Sequence, residues 1–417
     1  MTNQWMVAAA LLIAGLATEL TPQKQRAAAE VKAEAEAEIG EVLPIEDLQA
    51  WMNEAGVPGV SISLIKDFEI HGSLAFGMAD VDSGRLVTTE TLFQAASISK
   101  PVMAVASAVL AEQNHLDLDA DVTRYLHSWT LPRLAENAGQ PITPRMLLSH
   151  TSGLADGLGF PGYRPSEPLP DALSILKGTA PAKTPAIAAR FAPMTQSRYS
   201  GGGSVLMQLL LTDVTGQSFP ELMRLNLLEP LGMKRSFYQQ PLLSTISHGA
   251  ALAHDGQGKR FSIPWKIYPE LAAAGLWSTA NDLAELVRSL QKTADGDAVM
   301  PLSKQMVRDL LRPVGIGSFG TGFNVYQQGE GWYFSHMGVN QGYRSFLIGH
   351  QSKGYGLVVM TNSDGGFALI ERICKRIQQS YNWDVLRTQR AFRFGQERGL
   401  GCLPESELPV TKHEPPE

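Results

Sequence analysis

Strand-like segments stand at both ends of this chain, and helix-like segments fill the middle. Residues 59–66 alternate and are rich in β-branched side chains, and Asp67-Phe68 turns them into a second strand over residues 69–77. Strand patterns return between residues 320 and 362 and are followed by a closing helix. The apolar face of a sheet has to be covered, so the sequence predicts an α/β fold of the α+β type. One antiparallel sheet built from both termini is flanked by helices, and the mostly helical middle is an insertion.

The pattern divides the 417 residues into four segments. Residues 6–17 form an apolar run that is too short to span a membrane but suits the core of a signal peptide, with a cut after Ala17. A buried or frayed N-terminal helix is the alternative. We therefore predict export to the periplasm or the medium, with membrane attachment only through this segment; a cytoplasmic or anchored location stays open. The segments are a signal peptide or N-terminal anchor (1–20), an acidic low-complexity spacer (21–43), the folded domain (44–385, with the helical insertion at about 125–270) and a C-terminal tail (386–417).

Charge and cysteine content exclude several classes of protein. Residues 1–54 carry nine acidic and three basic residues, which accounts for the whole net charge of −6 and leaves the body neutral. A nucleic-acid partner needs a basic face, so none is predicted. The two cysteines, Cys374 in the closing helix and Cys402 in the tail, cannot form a disulfide scaffold, and a bridge between them is not expected. Histidines with metal-ligand spacing are absent from the sequence, so neither a metal nor another cofactor is predicted.

The S-x-x-K motif at Ser97–Lys100 is the main candidate for chemistry. It opens the apolar segment 98–113, which is typical of a buried helix, and Pro101 suits a first turn. On a helix Lys100 shares a face with Ser97, and the positive N-terminal end of the dipole favours a developing oxyanion. An ordinary helix start with a capping serine is the alternative. The same motif elsewhere lies in a strand, in a short segment or at a helix end, which suits this chemistry less: Ser63–Lys66, Ser174–Lys177 and Ser289–Lys292.

Two further motifs follow along the chain. Tyr199 precedes Ser200 and three glycines, where a tyrosine can shuttle a proton and glycine lets the backbone approach a ligand. A glycine loop before an apolar helix, with Tyr199 only packing, is the alternative. The segment His336–Gly342 lies between two strand patterns, so its histidine could polarise a substrate and its N–H groups could bind an oxyanion. A structural histidine is the alternative there.

Two weaker signals are set aside. Gly315-x-Gly317-x-x-Gly320 precedes a strand pattern instead of following one, which indicates a loop-to-strand turn and no dinucleotide site. His150, in LLSHTSGL, is interpreted as structural.

With these three motifs in this order, the chain resembles the serine β-lactamase and penicillin-binding protein superfamily, specifically its class C-like branch. Segments around the motifs share the resemblance, which covers about residues 44–385: LFQAASISKPV, PITPRMLLSHTSGL, RYSGGGSVLMQLLLTDVTG, AAGLWSTANDLAEL and FSHMGVNQGYRS. The branch includes β-lactamases, D-alanyl-D-alanine carboxypeptidases, D-aminopeptidases and carboxylesterases. The implied fold is an α/β domain from both termini with a mostly helical domain between.

The resemblance also implies roles at matching positions. Ser97 would be the acylated nucleophile, Lys100 its base, and Tyr199 the group that passes a proton to the leaving group. His336 would stand in the place of the third-motif cation. The oxyanion hole would be formed by the backbone N–H groups of Ser97 and Val339. The remaining positions, expected to contact the substrate, are Gly201, Gly338 and Asn340.

Two departures from the family pattern limit the substrate. Gly201 stands where many relatives carry Asn, and Met337 stands where penicillin-recognising members carry Thr. Loss of one hydrogen bond to a charged group costs about 1.5–3 kcal/mol of binding free energy, which lowers affinity about tenfold to a hundredfold. Arg344 is the one nearby candidate for a substitute cation, and the sequence does not place it. We therefore expect weak β-lactam recognition and a small ester, amide or peptide substrate, with residues 156–195 forming one wall of the pocket.

A serine hydrolase acting on an ester or small amide is accordingly the leading hypothesis. The alternatives are a D-amino-acid peptidase, carboxypeptidase or β-lactamase on cell-wall-type substrates, and a protein that keeps the fold but only binds ligand.

Overall fold

The computed structural model describes residues 38–132, 139–155, 159–329 and 331–383, so the predicted signal peptide, most of the spacer, the tail and Cys402 lie outside the described residues. The strands are β1 (Gly59–Lys66), β2 (Glu69–Asp80), β3 (Arg85–Leu86), β4 (Phe93–Ala96), β5 (Leu154–Ala155), β6 (Ala188–Ala189), β7 (Leu276–Ser278), β8 (Asn324–Gln328), β9 (Gly331–Asn340), β10 (Tyr343–His350) and β11 (Gly356–Thr361).

The helices are numbered separately from the strands, in chain order. They are α1 (Ile45–Ala55), α2 (Ser99–Glu112), α3 (Pro144–Leu148), α4 (Ala172–Lys177), α5 (Gly201–Thr215), α6 (Phe219–Met223), α7 (Ser244–Ser247), α8 (Leu271–Ala274), α9 (Ala280–Asp295), α10 (Lys304–Leu310) and α11 (Gly366–Ser380), with a 3₁₀ turn at Val122–Arg124 and a π turn at Arg224–Leu228.

Seven antiparallel strands form a sheet that both ends of the chain share. Their spatial order is β3-β2-β1-β11-β10-β9-β8. The two halves meet where β1 pairs with β11, with Val60 opposite Thr361 and Ile65 opposite Gly356. The prediction of one antiparallel sheet built from both termini is therefore confirmed.

Helices cover the two faces of this sheet. Val60, Ile62 and Leu64 of β1 belong to the apolar cluster that α1 and α11 complete on one face, and Cys374 is a buried free thiol in it. On the other face, α9 packs against β1, β2, β10 and β11. Successive side chains of β1 point to opposite faces of the sheet, and helices cover both faces. Residues 59–66 therefore carry the sequence pattern of a strand.

The turn predicted at Asp67-Phe68 is present. Both residues have positive φ, 53° and 63°, as the two-residue hairpins that match strand twist require. The G-x-G-x-x-G segment is a loop leading toward β8, with φ of 62° at Gly315 and 118° at Gly317, so that prediction is confirmed as well.

Helices, loops and the two-residue strands β5 and β6, which pair with each other, fill the described part of the chain between α2 and β7. Helix α2 is buried from Ser99 to Leu110, as its apolar sequence predicts. The short strands β4 and β7, which the sequence does not predict, pair with each other outside the main sheet, with Phe93 opposite Ser278. In the described part of the chain, no helix is both long and apolar enough to cross a bilayer.

Strand β9 packs directly against β4. Gly338 lies where the strands touch: a methyl group on it would overlap both the carbonyl oxygen of Ala95 and Oγ of Ser345. Ser345 Oγ in turn donates to the Ala95 carbonyl at 2.8 Å. Only glycine therefore permits this approach of two backbones.

We predict that Gly338→Ala lowers the free energy of unfolding by about 1–3 kcal/mol, because the strands must separate to admit the methyl group. Urea denaturation measures it. Gly159→Ala is the matched control, since a methyl group there meets nothing within 4 Å. Equal midpoints for the two variants would show that β4 and β9 tolerate the extra volume.

Candidate active site

Ser97 lies at the turn between β4 and α2. Ala96, the last residue of β4, has a φ of +52°, a left-handed conformation that costs a residue with a side chain about 1–2 kcal/mol. Ser99 Oγ secures this turn, donating to the Ala96 carbonyl at 2.6 Å and accepting from the Leu276 N–H at 3.0 Å. The strained turn leaves Ser97 partly exposed just before the N-terminus of the buried helix α2.

Lys100 contacts Ser97 within the first turn of α2. Its side chain is only 4% exposed, and Nζ lies 3.1 Å from Ser97 Oγ and 2.7 Å from the carbonyl oxygen of Ala273. Helix α8, which carries Ala273, is held by Gln208 of α5, whose Oε1 accepts the Ala272 N–H at 3.0 Å. The predicted serine–lysine pair is thus brought together, and two other helices determine where the amine lies.

The other S-x-x-K pairs serve as internal controls. In two of them both side chains have different partners: Ser63 contacts Ser73, Lys66 pairs with Glu38, Ser289 donates to Glu285, and Lys292 pairs with Glu69. The motif therefore brings its two side chains together at Ser97 because that copy begins a buried helix.

Tyr199 lies beside this pair. The residue is 43% exposed, and Lys100 Nζ lies 4.8 Å from the ring centroid. The adjacent Ser200 caps α5, accepting the Gly203 N–H at 2.9 Å. The glycines, including Gly201, consequently form the first helical turn and not a loop. The Ser200 cap explains why these glycines are helical, since its side chain accepts a hydrogen bond from a first-turn N–H group that would otherwise have no partner in the helix.

Strand β9 brings the third motif to the same place. Strand β8 pairs with β9 only from Gly331 to Ser335, whereas β10 pairs with it as far as Asn340. Beyond Ser335, the edge of β9 is free of β8 and lies against β4. Val339 is exposed on this segment. An open strand edge of this kind can present backbone N–H groups to a ligand.

His336, which the resemblance implies would stand in the place of a cation, is neutral. Its Nδ1–H donates to the Met337 carbonyl at 2.8 Å, which leaves Nε2 as an acceptor. That buried Nε2 has no hydrogen-bond partner among the described residues. Burial, together with the charge of Lys100, lowers the pKa of His336 from 6.5 to about 3. The site therefore contains a neutral imidazole whose Nε2 can accept a hydrogen bond.

Three neighbours on these strands already have partners in the protein. Asn340 is buried, and its Nδ2 donates to Gln94 Oε1 at 2.8 Å and to the Ala274 carbonyl at 3.1 Å, so this nitrogen already has protein partners. Met337 packs against the apolar cluster of α1 and α11, on the face opposite His336, because side chains alternate along a strand. Arg344 pairs with Asp364 at 3.0 Å and is no spare cation.

His150, interpreted from the sequence as structural, lies next to Tyr199. The two ring centroids are 4.4 Å apart, and Phe319 packs edge-on against His150 at 4.7 Å. The sequence gives no signal of this contact, because His150 and Tyr199 are far apart along the chain and carry no shared motif. Among the described residues, no cluster of three or more His, Cys, Asp or Glu side chains could hold a metal ion.

We predict that His336 contributes to the pH dependence of stability. Its folded-state pKa is below that of the unfolded chain, so the stabilisation is complete above pH 6.5 and is lost as pH falls toward 3. Between pH 7.5 and 5.0 this loss is about 2 kcal/mol. His336→Gln should lose correspondingly less stability than wild type in urea titrations at the two values. The exposed His248→Gln is the control; the same loss in all three proteins would mean that His336 titrates normally.

Comparison with known proteins agrees with this arrangement. Residues 44–373 match the Beta-lactamase family. Protein flp of Staphylococcus aureus strain N315 is 24% identical over 343 residues, or 78% of this chain and 64% of that protein, so the chain spans less than two thirds of this relative. Esterase EstB of Burkholderia gladioli is 42% identical over 88 residues, which make up 20% of this chain and 22% of the esterase.

A solved structure shows the same fold. The D-amino acid amidase of Ochrobactrum anthropi SV3, in complex with D-phenylalanine, superimposes with a TM-score of 0.63 at 22% identity, covering 80% of this chain and 98% of that one. The family match covers well over half of the chain and includes all three motifs. The resemblance inferred from the motifs is thereby confirmed, and the chain belongs to the Beta-lactamase family.

Proposed function

We propose that this protein is a serine hydrolase that forms an acyl-enzyme at Ser97 from an uncharged ester or small amide. The observation that carries the proposal is the 3.1 Å contact between Lys100 Nζ and Ser97 Oγ in a buried setting. A serine hydroxyl becomes a useful nucleophile only when a neighbouring base takes its proton.

Lys100 can serve as that base when it is neutral. A neutral amine can accept the Ser97 proton while one of its own N–H groups still donates to the Ala273 carbonyl. Ser97 Oγ then attacks the acyl carbon, and the carbon–oxygen or carbon–nitrogen bond to the leaving group breaks. The leaving group takes up the proton through Lys100 and Tyr199, and water later releases the acid.

The developing oxyanion needs donors that are already in place. We assign this role to the backbone N–H groups of Ser97 and Val339, which lie on the β4–α2 turn and on the free edge of β9. Each such donor contributes about 2.7–4 kcal/mol to transition-state stabilisation in a serine hydrolase. His336 Nε2 would accept a hydrogen bond from the substrate or from the hydrolytic water.

Charge in the site favours substrates without a carboxylate. His336 is neutral, and the nearby Arg344 guanidinium is engaged by Asp364, so neither offers a carboxylate an unpaired positive charge. The partial similarity to an esterase supports an ester as substrate. The fold is shared with a D-amino acid amidase, so D-amino-acid amides are the alternative class of substrate.

We predict that Ser97→Ala lowers kcat/KM for a p-nitrophenyl ester by at least about 10³-fold, because the nucleophile is removed. Intact-mass spectrometry should show a transient acyl adduct on the wild-type protein only. Ser107→Ala is the matched control: this serine lies in α2, the helix that Ser97 precedes, where its Oγ donates to the Met103 carbonyl. Turnover that survives in Ser97→Ala, or a wild-type protein inert to esters and D-amino-acid amides alike, would contradict the proposal.

We also predict how benzylpenicillin behaves. A site without a cation for the carboxylate should gain nothing from it, so benzylpenicillin and its methyl ester should acylate the protein at rates within about threefold, and neither should give a stable adduct at micromolar concentration. A site that recognises the carboxylate would favour the free acid by about tenfold to a hundredfold. Time-resolved mass spectrometry, which detects transient adducts as well as stable ones, separates the two cases.

A further inference from the structure

His150 holds both chain neighbours of Tyr199. It follows α3 with a φ of +61°, and its carbonyl oxygen accepts the Arg198 N–H at 2.8 Å. Its ring Nδ1 accepts the Ser200 N–H at 3.2 Å. One residue therefore binds the backbone immediately before and immediately after the tyrosine, which fixes the direction in which that side chain leaves the chain.

The imidazole also packs on the tyrosine ring. The two centroids lie 4.4 Å apart with a 43° angle between the planes, and Phe319 closes the group at 4.7 Å from His150 and 5.9 Å from Tyr199. The Lys100 amine also lies over the Tyr199 ring, 4.8 Å from its centroid. The ring of Tyr199 thus contacts both His150 and Lys100, although the residue as a whole is 43% exposed.

The contact with Ser200 requires a neutral ring. Nδ1 can accept a hydrogen bond only if it carries no proton, so the ring proton is on Nε2. Burial and, to a lesser extent, the charge of Lys100 lower the pKa of His150 well below 6.5, which keeps the ring neutral, and the Ser200 N–H selects the tautomer. A charged imidazole would lose the acceptor and would repel the lysine.

We infer that His150 is a positioning residue that holds Tyr199 over Lys100 for proton transfer to the leaving group. The inference rests on the proposed function, because it requires that Tyr199 protonate a leaving group. His150 acts through the backbone at Arg198 and Ser200 and through ring packing, and it does not itself contact the reacting atoms.

The test compares two acetate esters. A p-nitrophenyl leaving group departs as its anion, whereas an alkyl leaving group must be protonated, so loss of the tyrosine proton affects the alkyl ester more. Tyr199→Phe defines this pattern. His150→Phe keeps a ring and removes the Nδ1 acceptor; we expect kcat/KM to fall about tenfold to a hundredfold for the alkyl ester and less than about threefold for the p-nitrophenyl ester.

Two further variants make the comparison decisive. His150→Asn tolerates a positive φ and can place Oδ1 near the position of Nδ1, so it should recover about half of the loss on a logarithmic scale. In Tyr199→Phe, the additional His150→Phe should cause less than about twofold further loss on the alkyl ester, since the two residues act in one step.

The outcomes separate the two proposals. If wild type hydrolyses esters but His150→Phe loses both substrates by the same factor, or if the double variant is multiplicatively worse, His150 only maintains the fold and the inference is wrong. If wild type hydrolyses neither ester, the proposed function fails, and the inference fails with it.

Discussion

A buried lysine amine joins the parts of the site. Nζ of Lys100 contacts Ser97 in the turn that leads into its own helix, the carbonyl of Ala273 in α8 and the ring of Tyr199 just before α5. A buried polar group without partners would cost several kcal/mol, so these contacts are a condition of burying the amine. Because Gln208 of α5 ties down α8, the helical region between α2 and β7 determines where the amine lies.

The sheet supplies the opposite side of the same site. Strand β9 extends beyond β8 and lies against β4, where Gly338 allows contact with the Ala95 carbonyl. The residue that follows Ala95 is the strained Ala96, and Ser97 comes next. The proposed oxyanion donors and the proposed nucleophile therefore share one backbone contact, and a methyl group at Gly338 would disturb both.

The sequence predicts those features of the site that are local along the chain. The buried α2, the sheet from both termini and the Ser97–Lys100 pair follow from periodicity and from i, i+3 spacing. Strands β4 and β7 are too short to show a period. The neutral state of His336 and the hydrogen bonds of His150 to the backbone on either side of Tyr199 depend on which distant residues pack nearby. No spacing rule along the sequence contains that information.

Burial, reinforced by one positive charge, keeps two histidines of the site neutral. His150 and His336 are both desolvated by burial and both lie within electrostatic reach of Lys100, and each effect lowers their pKa. A second cation would have to overcome both repulsion and desolvation. The imidazoles are therefore left as neutral hydrogen-bonding groups: His150 Nδ1 holds the Ser200 backbone, and His336 Nε2 remains available to a ligand. Proton transfer in the proposed reaction is then confined to Ser97, Lys100 and Tyr199, and the two histidines determine geometry and substrate charge.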